Sequence, residues 1–510
     1  GLLKNLNQKD GFDCPGCAWP DPDAKRAFLA EYCENGAKAI AEEATKNKVS
    51  PLFFATHSIK ELSKLSDYEI GKSGRITHPM YLPEGKEHYE EISWEAAFEL
   101  IGKELNQLNT PDEAIFYTSG RTSNEAAFLY QLFVREFGTN NLPDCSNMCH
   151  ESSGAALTET LGIGKGSVTL EDFNHADLVI VMGQNPGTNH PRMLSALSET
   201  KHRGGKIISI NPLPEVGLLN YKDPQNPLKW VGKGQELTDL FLQVKINGDA
   251  ALLKIILKLM KSKEDEKPES VFNHAFINEK TAGINDFLAD LDRYTLEELL
   301  PQTGLELSEI KKATDLIIHN ERIIICWAMG LTQHKNSVDT IREVVNLLLL
   351  KGSIGKKGAG TCPVRGHSNV QGDRTMGIWE KPSEAFLNQL EKEFSFTAPR
   401  KHGFDVVQSI EAMDQQKAKV FIGLGGNFIS ATPDTEFTAK AMQNCSLTVQ
   451  ISTKLNRSHL IHGKKALILP CLGRSEKDIQ SSGEQFISVE NSMGTVHQSK
   501  GHLTPHSKFL

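Results

Sequence analysis

The feature that most constrains the fold of this chain is a short, continuous apolar run that recurs and ends each time in a polar loop. Such runs, separated by longer helix-compatible segments, are typical of buried strands. The sequence therefore predicts an α/β fold with mostly parallel sheets that are covered on both faces. The predicted strands are Ala114–Thr118, Asp177–Met182, Lys206–Ile210, Arg322–Trp327, Val420–Leu424, Leu447–Ile451 and Ala466–Leu469.

The loops after these strands are rich in Gly, Asn, Ser, Thr and Gln. In open α/β sheets ligands bind at this end of the strands, and glycine allows the backbone to approach a phosphate group. A single loop of this kind is also typical of an ordinary strand-to-helix turn. Their repetition in one chain favours a large, phosphate-bearing ligand. The loops begin at Ser119, Gly183, Asn211, Ala328, Gly425 and Ser452.

Composition excludes several classes of protein. The chain has 510 residues and a formal net charge of -8, which argues against a general nucleic-acid binder. No apolar run approaches the roughly 20 residues that a membrane helix needs. The nine cysteines are scattered and form no disulfide framework, so the expected location is a reducing cytoplasm. The first residue is Gly1 rather than Met, so the natural N-terminus is expected to lie upstream.

One segment brings a cysteine and a histidine together. Asp144–Gly154 contains Cys149 followed directly by His150, just ahead of a helix-compatible run that ends at Leu161. The N-terminal end of a helix favours a thiolate over a thiol, and the imidazole offers a base near neutral pH. The pair is therefore read either as a reactive or metal-bound thiolate, or as a buried cysteine beside a hydrogen-bonded histidine.

Two further segments are distinctive in composition. The first 78 residues contain Cys14-Pro-Gly-Cys17 and Cys33 with little strand-like sequence, which suits a metal-bound module. Residues 251–261 predict an amphipathic helix, and the charged run Lys261–Ser270 is predicted to be a solvated loop.

Several motifs, in the expected order along almost the whole chain, resemble those of the molybdopterin-dependent oxidoreductases in the formate dehydrogenase and dimethyl sulfoxide reductase superfamily. The chain is most similar to its formate dehydrogenase alpha-subunit-like branch, also called YdeP-like. The most specific match is Pro363–Gly372, Pro-Val-Arg-Gly-His-Ser-Asn-Val-Gln-Gly. The other matching motifs are Gly11–Pro22, Ile92–Ala96, Gly183–Pro186 with Pro191, and Phe276-Ile277 with Thr281 and Gly283.

The resemblance implies an architecture of several doubly wound, Rossmann-like domains plus a small N-terminal module that carries cysteines. Residues 1–78 would form an iron–sulfur-type module, to which residues 475–510 return. Residues 79–144 and 368–474 would form an α/β pterin-binding domain, and residues 145–367 a second α/β domain with Cys149 and Arg365. A C-terminal pterin-binding domain of the family is expected to be missing from this sequence, which ends at Leu510.

The resemblance also implies a bis(molybdopterin guanine dinucleotide) cofactor that holds molybdenum or, less often, tungsten. Cys149 matches the metal-ligating cysteine or selenocysteine, His150 the adjacent histidine and Arg365 the substrate-side arginine. These residue types suit the chemistry, since a soft thiolate binds a redox metal, a guanidinium pairs with a carboxylate and an imidazole accepts a proton. The expected cofactor contacts are Ser119, Arg121, Asn124, Gly183, Asn185, Pro186, Asn211, Pro212, Gly330, Gln333, Gly425, Gly426 and Asn427.

The cysteine motif departs from the family pattern. Cys14 and Cys17 match, Cys33 would be the distant ligand, and Asp21 stands where the third cysteine is expected. Cys33 is followed by Glu34-Asn35-Gly36 rather than by the lysine and glycine found in relatives. Three cysteines and an aspartate would hold a [4Fe–4S] cluster, and zinc or an empty site is the alternative.

Three functions are compatible with these features. The first is two-electron oxidation of formate to carbon dioxide, with electrons passing to an unknown acceptor. The second uses the same cofactor on another small substrate, because a shared fold does not fix the substrate. The third is a cofactor-free binding or regulatory protein, linked to acid stress as this branch sometimes is. None of the three requires a nucleic-acid or membrane partner.

Overall fold

A computed structural model describes residues 2–22, 26, 31–222 and 233–510, and all statements below refer to these residues. The strands are β1 (Lys48–Val49), β2 (Arg75–Ile76), β3 (Met80–Leu82), β4 (Glu90–Glu91), β5 (Ala114–Thr118), β6 (Leu178–Met182), β7 (Lys206–Ile210), β8 (Leu240–Leu242), β9 (Ile323–Trp327), β10 (Gly360–Pro363), β11 (Val420–Leu424), β12 (Leu447–Ser452), β13 (Lys465–Pro470), β14 (Ile479–Gln480), β15 (Gly483–Glu484), β16 (Ile487–Glu490) and β17 (Val496–Ser499).

Helices occupy most of the connections between these strands. They are α1 (Glu34–Glu43), α2 (Pro51–Thr56), α3 (Ile59–Leu62), α4 (Asp67–Lys72), α5 (Trp94–Asn106), α6 (Asn124–Phe137), α7 (Cys145–Cys149), α8 (Glu151–Leu161), α9 (Pro186–Asn189), α10 (Pro191–His202), α11 (Val216–Leu219), α12 (Asp249–Glu266), α13 (His274–Lys280), α14 (Ile284–Asp292), α15 (Leu296–Thr303), α16 (Leu307–Ile318), α17 (Met329–Thr332), α18 (Ser337–Leu350), α19 (Val370–Thr375), α20 (Glu384–Phe394), α21 (Val406–Asp414), α22 (Phe428–Ala431) and α23 (Thr435–Gln443).

The first large sheet is parallel throughout and has the strand order β10-β9-β6-β7-β8. Its central strands β6 and β9 are fully buried, because helices cover both faces. One face packs against α8, α12 and α18 in the largest apolar cluster of the chain, and the other face packs against α10. The carboxyl ends of β6, β7, β9 and β10 therefore meet at one edge.

The second large sheet has the order β4-β3-β13-β12-β11-β5. Strands β13, β12, β11 and β5 are parallel neighbours, while β3 and β4 add an antiparallel edge. The carboxyl ends of β5 and β11 lie side by side, since Thr118 pairs in register with Leu424. Residues from two distant parts of the chain build this sheet.

The two ends of the chain pack together. Strands β16 and β17 form an antiparallel hairpin, and Ser499 Oγ accepts a hydrogen bond from the Asp13 N–H at 3.0 Å. The Lys500 N–H donates to the Gly11 carbonyl, and the Ser492 N–H donates to the Ala18 carbonyl. The C-terminal hairpin thus lies against the N-terminal segment that carries Cys14 and Cys17.

The predicted α/β class with mostly parallel sheets is confirmed, and every predicted strand occurs within about one residue of its expected bounds. The prediction of a solvated loop from Lys261 was wrong, because α12 continues to Glu266. Glu264 is buried in its last turn and accepts hydrogen bonds from the N–H groups of Val271 and Phe272. The charged residues around Glu264 predicted a solvated loop, but the Glu264 carboxylate is buried and accepts hydrogen bonds from the turn that follows α12.

Candidate active site

Cys149 and His150 lie at the junction of two helices. Helix α7 begins at the cap Asp144, whose side chain accepts the Asn147 N–H while the Asn147 side chain accepts the Asp144 N–H. Helix α7 ends at Cys149, and α8 begins directly after His150. The Thr118 N–H donates to the Pro143 carbonyl, so this junction starts beside the carboxyl end of β5.

The Cys149 thiol is buried and faces positive groups. Burial raises the pKa of the Cys149 thiol, whereas the Arg365 guanidinium and a hydrogen bond from the Gly366 N–H favour the thiolate. The Thr332 hydroxyl donates to the Cys149 carbonyl at 2.6 Å and so attaches the loop after β9 to the same residue. Cys149 therefore contacts the loops after β9 and β10, at the carboxyl end of the five-stranded sheet.

Arg365 is a buried cation whose Nε–H group has no partner in the described part of the chain. Its Nη1 and Nη2 atoms donate to the carbonyl oxygens of His150 and Gly164, at 3.3 and 2.9 Å. Its Nε atom is buried and has no hydrogen-bond partner among the described residues. Burial lowers the pKa of Arg365 to about 10, which still leaves the guanidinium charged at neutral pH. A buried guanidinium with a free N–H is suited to an incoming anion.

His150 is held on both sides of its ring. The Trp327 indole N–H donates to Ser153 Oγ, and the Ser153 hydroxyl lies 2.9 Å from His150 Nδ1. The other nitrogen, Nε2, lies 3.1 Å from the Val364 carbonyl, which can only accept. This arrangement defines a neutral ring that is protonated on Nε2. Burial and the charge of Arg365 both lower the pKa of His150 well below its usual value.

The segment Pro363–Gly372, called here the 363–372 loop, connects the parts of the site. The Gly366 carbonyl accepts the Ala18 N–H, and the Arg365 N–H donates to Ser492 Oγ at 2.9 Å. Asn369 donates to the Thr122 carbonyl and to Asn124 Oδ1, at 2.6 and 3.0 Å. The loop thus touches the N-terminal segment, the C-terminal hairpin, the loop after β5 and Cys149.

The predicted cofactor contacts form two groups. At the six-stranded sheet, Gly425 and Gly426 adopt positive φ beside Ser119, and a Cβ at Gly425 would lie 2.7 Å from Ser119 Oγ. Asn427 is held there by Ser458, whose hydroxyl donates to Asn427 Oδ1 at 3.3 Å. Asn124 belongs to the same edge through Asn369, and the Arg121 carbonyl accepts a hydrogen bond from Arg474 at 2.8 Å.

The second group lies at the five-stranded sheet. Gly183 and Gly330 pack backbone to backbone, and the Gly330 N–H donates to the Gly183 carbonyl. Asn211 Oδ1 accepts from the Gln184 N–H, and the Pro212 carbonyl accepts from Gln243. Asn185 donates to Glu215 and directly precedes Pro186, the first residue of α9. Gln333 donates to the Met148 carbonyl.

Gly183 and Gly330 pack too closely for a side chain at either position. Glycine is therefore required here whether or not a pterin binds, and these two residues are not evidence for a pterin site. Other features do fit a metal–pterin group. Cys149 offers a soft sulfur ligand in a buried position, and Arg365 leaves a buried N–H unused. Cys149 lies against the loops after β9 and β10 of the five-stranded sheet, and its helix α7 starts beside the carboxyl end of β5 in the six-stranded sheet. Ligands bind at this end of parallel strands in α/β proteins.

The three N-terminal cysteines line one cavity, together with Asp13, Asp21, Arg192 and His497. Each sulfur accepts a backbone N–H: Gly16 donates to Cys14, Trp19 to Cys17 and Gly36 to Cys33. Hydrogen bonds of this kind stabilise thiolates that ligate iron–sulfur clusters. In the described part of the chain, no three His, Cys, Asp or Glu side chains converge tightly enough for a single metal ion.

The two carboxylates of this cavity differ in their partners. Asp21, which occupies the position of the third cysteine, pairs with Arg192 at 2.7 Å and lies 3.8 Å from Arg26. Asp13 has one oxygen, Oδ2, that is buried without a hydrogen-bond partner among the described residues. Burial, followed by the neighbouring Asp21, raises the pKa of Asp13 to about 7.

Four residues at the site were not predicted from the sequence. Cys145 Sγ lies 2.8 Å from His367 Nδ1, which pairs a second thiol with the 363–372 loop. Burial lowers the pKa of His367 to about 4 and raises that of Cys145, so this pair is neutral. Arg474 and Ser492 reach the site from the C-terminal segment. Only His367 carried a signal in the sequence, because it stands inside the matched ten-residue motif.

The fold and this donor set define a class of protein. The family model described as molybdopterin oxidoreductase matches residues 75–459, which is more than half of the chain. The chain therefore belongs to the molybdopterin oxidoreductase family, and membership implies a molybdenum–pterin cofactor.

Individual relatives narrow the class. An uncharacterized oxidoreductase of Mycobacterium tuberculosis is 57% identical over 505 residues, which cover 99% of this chain and 65% of that protein. Protein YdeP of Escherichia coli is 46% identical over 511 residues, 99% of this chain and 67% of that protein. The alpha subunit of an F420-dependent formate dehydrogenase from Methanocaldococcus jannaschii is 25% identical over 417 residues, 80% and 57% of the two chains. The chain thus spans about two thirds of the length of its more similar relatives.

A solved structure supports the fold. Acetylene hydratase from Pelobacter acetylenicus matches with a TM-score of 0.66 over 96% of this chain and 62% of that one, at 16% sequence identity. A likeness at this identity bears on the fold alone. Among the described helices, none combines the length and the apolar composition that crossing a membrane requires.

Proposed function

We propose that this chain is the metal-ligating part of an enzyme that oxidises formate to carbon dioxide with a molybdenum bis(molybdopterin guanine dinucleotide) cofactor. The observation that carries the proposal is the buried contact zone in which the Cys149 sulfur faces the Arg365 guanidinium and the Gly366 N–H. The similarity to a formate dehydrogenase alpha subunit supports it. When bound, such a cofactor supplies a two-electron acceptor.

Arg365 binds the substrate in this proposal. Formate is a small carboxylate, and a guanidinium with a free Nε–H offers it a charge-assisted hydrogen bond. The Nη atoms are already fixed by the carbonyls of His150 and Gly164, so the free donor has a defined direction. Burial of the guanidinium strengthens the attraction because little water competes for either charge.

Cys149 is proposed to ligate the metal through a thiolate. The two groups that favour ionisation, Arg365 and the Gly366 N–H, both come from the 363–372 loop. His150 is assigned a holding role, because Ser153 and Val364 occupy both ring nitrogens. Proton acceptance at Nδ1, the alternative for His150, requires the Ser153 hydroxyl to rotate and a charge to form beside Arg365.

The cofactor's two pterin arms are assigned to the carboxyl ends of the two large sheets. The loops with Ser119, Gly425, Gly426 and Asn427 would hold one arm, and those with Gly183, Asn185 and Asn211 the other. Cys14, Cys17 and Cys33 would hold a [4Fe–4S] cluster close to the 363–372 loop, since the Ala18 N–H donates to the Gly366 carbonyl.

The test uses the natural full-length protein, purified without oxygen from molybdate-supplied cells. We expect molybdenum, pterin fluorescence and formate-dependent reduction of a viologen dye in the wild type. Cys149→Ala should lose the molybdenum and the dye reduction and keep the pterin fluorescence. Metal-replete protein that does not turn over formate would remove the formate assignment. Protein that contains neither metal nor pterin would instead favour a cofactor-free binding role.

A second substrate class has one specific observation in its favour. The free Nε–H of Arg365 recognises any small anion, so another carboxylate or an oxyanion fits the same donor. Dye reduction and dye oxidation should be measured across small carboxylates and oxyanions. A kcat/KM for another anion that exceeds that for formate would reassign the substrate and keep the enzyme class.

A further inference from the structure

We propose that Asp13, and not Asp21, supplies the fourth protein ligand of the N-terminal iron–sulfur cluster. The inference rests on the cluster that the proposed function assigns to Cys14, Cys17 and Cys33. The cavity bounded by these cysteines also contains both carboxylates. A cubane cluster has four iron corners, and three cysteines leave one corner without a thiolate.

Asp21 is already committed to other partners. Its Oδ1 lies 2.7 Å from Arg192 Nη1, and Arg192 Nη2 pairs in turn with Glu31 at 2.9 Å. Arg26 lies 3.8 Å from the other oxygen, Oδ2. Removing Asp21 from this ion pair to ligate iron would leave the partly buried Arg192 with less compensating charge, which is costly. Asp21 stands at the position of the third cysteine in the sequence motif, but its carboxylate is not free to ligate iron.

Asp13 has the opposite properties. The residue is 9% exposed and lines the cavity of the cysteines. Its side chain contacts that of Asp21, but its Oδ2 atom accepts no hydrogen bond from a donor among the described residues. Its own N–H is fixed by Ser499 Oγ at 3.0 Å, and the Cys14 N–H donates to Asn7 Oδ1 at 2.8 Å. A buried carboxylate oxygen without a partner is rare and requires a proton, a water molecule or a cation. Iron supplies such a cation.

The surroundings of the cavity are compatible with an additional anionic ligand. Arg192, Arg26 and Arg474 lie close enough for their charges to act on the cavity's thiols or carboxylates. The other polar side chains that line it are Asn7, Ser368, Asn491 and His497. Of these, His497 is the alternative nitrogen ligand, but it is already hydrogen-bonded to Asn491.

The test compares three variants in the full-length protein, purified without oxygen: Asp13→Asn, Asp13→Cys and the matched control Asp21→Asn. The readouts are iron per chain, electron paramagnetic resonance and Mössbauer spectra. We expect about four irons in the wild type, with one Mössbauer site that differs from the three thiolate-bound sites. Asp13→Asn should lose about one iron and give a [3Fe–4S] signal, whereas Asp21→Asn should retain four.

Asp13→Cys keeps the proposal testable even if Asp13→Asn fails to fold. A thiolate at this position should retain four irons and replace the distinct Mössbauer site with a fourth thiolate-bound one. The proposal is overturned if the distinct site persists in Asp13→Cys, or if Asp21→Asn rather than Asp13→Asn loses iron. A wild-type protein without iron would instead refute the cluster itself, which separates that failure from failure of the ligand assignment.

Discussion

Arg365 combines three features that a substrate-binding arginine needs. It is 5% exposed, it retains a positive charge at neutral pH, and one of its donors is unoccupied. The guanidinium fork is fixed by two backbone carbonyls, which a lysine ammonium could not reach in the same geometry. Shape as well as charge should therefore matter at this position.

Replacement of Arg365 by lysine should lower kcat/KM for formate by about 10- to 100-fold, because one charge-assisted hydrogen bond to the substrate is worth about 1.5–3 kcal/mol. Arg365→Gln, which also removes the charge, should lose more. Molybdenum content and the melting temperature are measured alongside, so that loss of cofactor or of folding is distinguished from loss of binding.

Arg203→Lys is the matched control for this substitution. Arg203 is exposed at the end of α10 and pairs only one turn away with Glu199 at 2.9 Å. Exposed pairs of this kind contribute little. A fall in kcat/KM for Arg365→Lys no larger than that for Arg203→Lys would mean that Arg365 does not bind the substrate.

Individual elements differ in how well the sequence predicts them. Strands such as β5, β7 and β11 have the predicted bounds, because a buried parallel strand requires an uninterrupted apolar run. The end of α12 was missed because the helix there is polar on its exposed side and buries a charged residue, Glu264, on the other. Hydrophobic periodicity detects buried apolar side chains. It does not detect a buried carboxylate such as Glu264, which is stabilised by hydrogen bonds from backbone N–H groups.

At the site, the sequence predicted residues but few of the contacts between them. The 363–372 loop stood out because its ten residues match a family motif. Its contacts with Ala18 and Ser492 span more than one hundred residues of chain and leave no periodic trace. The Cys145–His367 pair and the free oxygen of Asp13 are also properties of tertiary packing, so they became visible only in the structure.

Glu264 gives an element-scale prediction. Burial alone would raise the pKa of Glu264, but hydrogen bonds from His274 and from the N–H groups of Phe272 and Val271 outweigh it and lower the pKa from 4.5 to about 2. A lowered folded-state pKa stabilises the fold above pH 4.5, and this contribution is lost as the pH falls toward 2. Glu264→Gln should lower the free energy of unfolding by about 2 kcal/mol at pH 7.

The difference between wild type and Glu264→Gln should shrink as the pH falls below 4.5, and chemical unfolding at several pH values measures it. Glu266→Gln is the control, because Glu266 is an exposed carboxylate two residues further along the same helix. A pH-independent difference, or an equal effect of Glu266→Gln, would show that Glu264 does not cap this turn as a carboxylate.

In the whole molecule, Arg474 connects three parts of the chain that are far apart in sequence. Its guanidinium donates to the carbonyls of Cys14 and Arg121, at 3.2 and 2.8 Å, and to Ser368 Oγ at 2.8 Å. Its N–H donates to Glu43. The cysteine segment, the loop after β5 and the 363–372 loop are therefore held together by one side chain from the C-terminal segment.

Replacement of Arg474 by glutamine should loosen the N-terminal segment without unfolding the sheets. Hydrogen bonds to a charged donor contribute about 1.5–3 kcal/mol each, so amide exchange in residues 2–22 and 31–46 should accelerate roughly tenfold or more. Exchange in β11, β12 and β13 should not change, because the backbone hydrogen bonds between these strands do not involve Arg474.

Hydrogen–deuterium exchange with mass spectrometry measures both regions. Arg400→Gln is the control, because it removes only the partly exposed ion pairs with Glu384 and Glu391. Unchanged exchange near the cysteines, or equal acceleration throughout the chain, would mean that Arg474 does not couple the cysteine segment to the active-site loops.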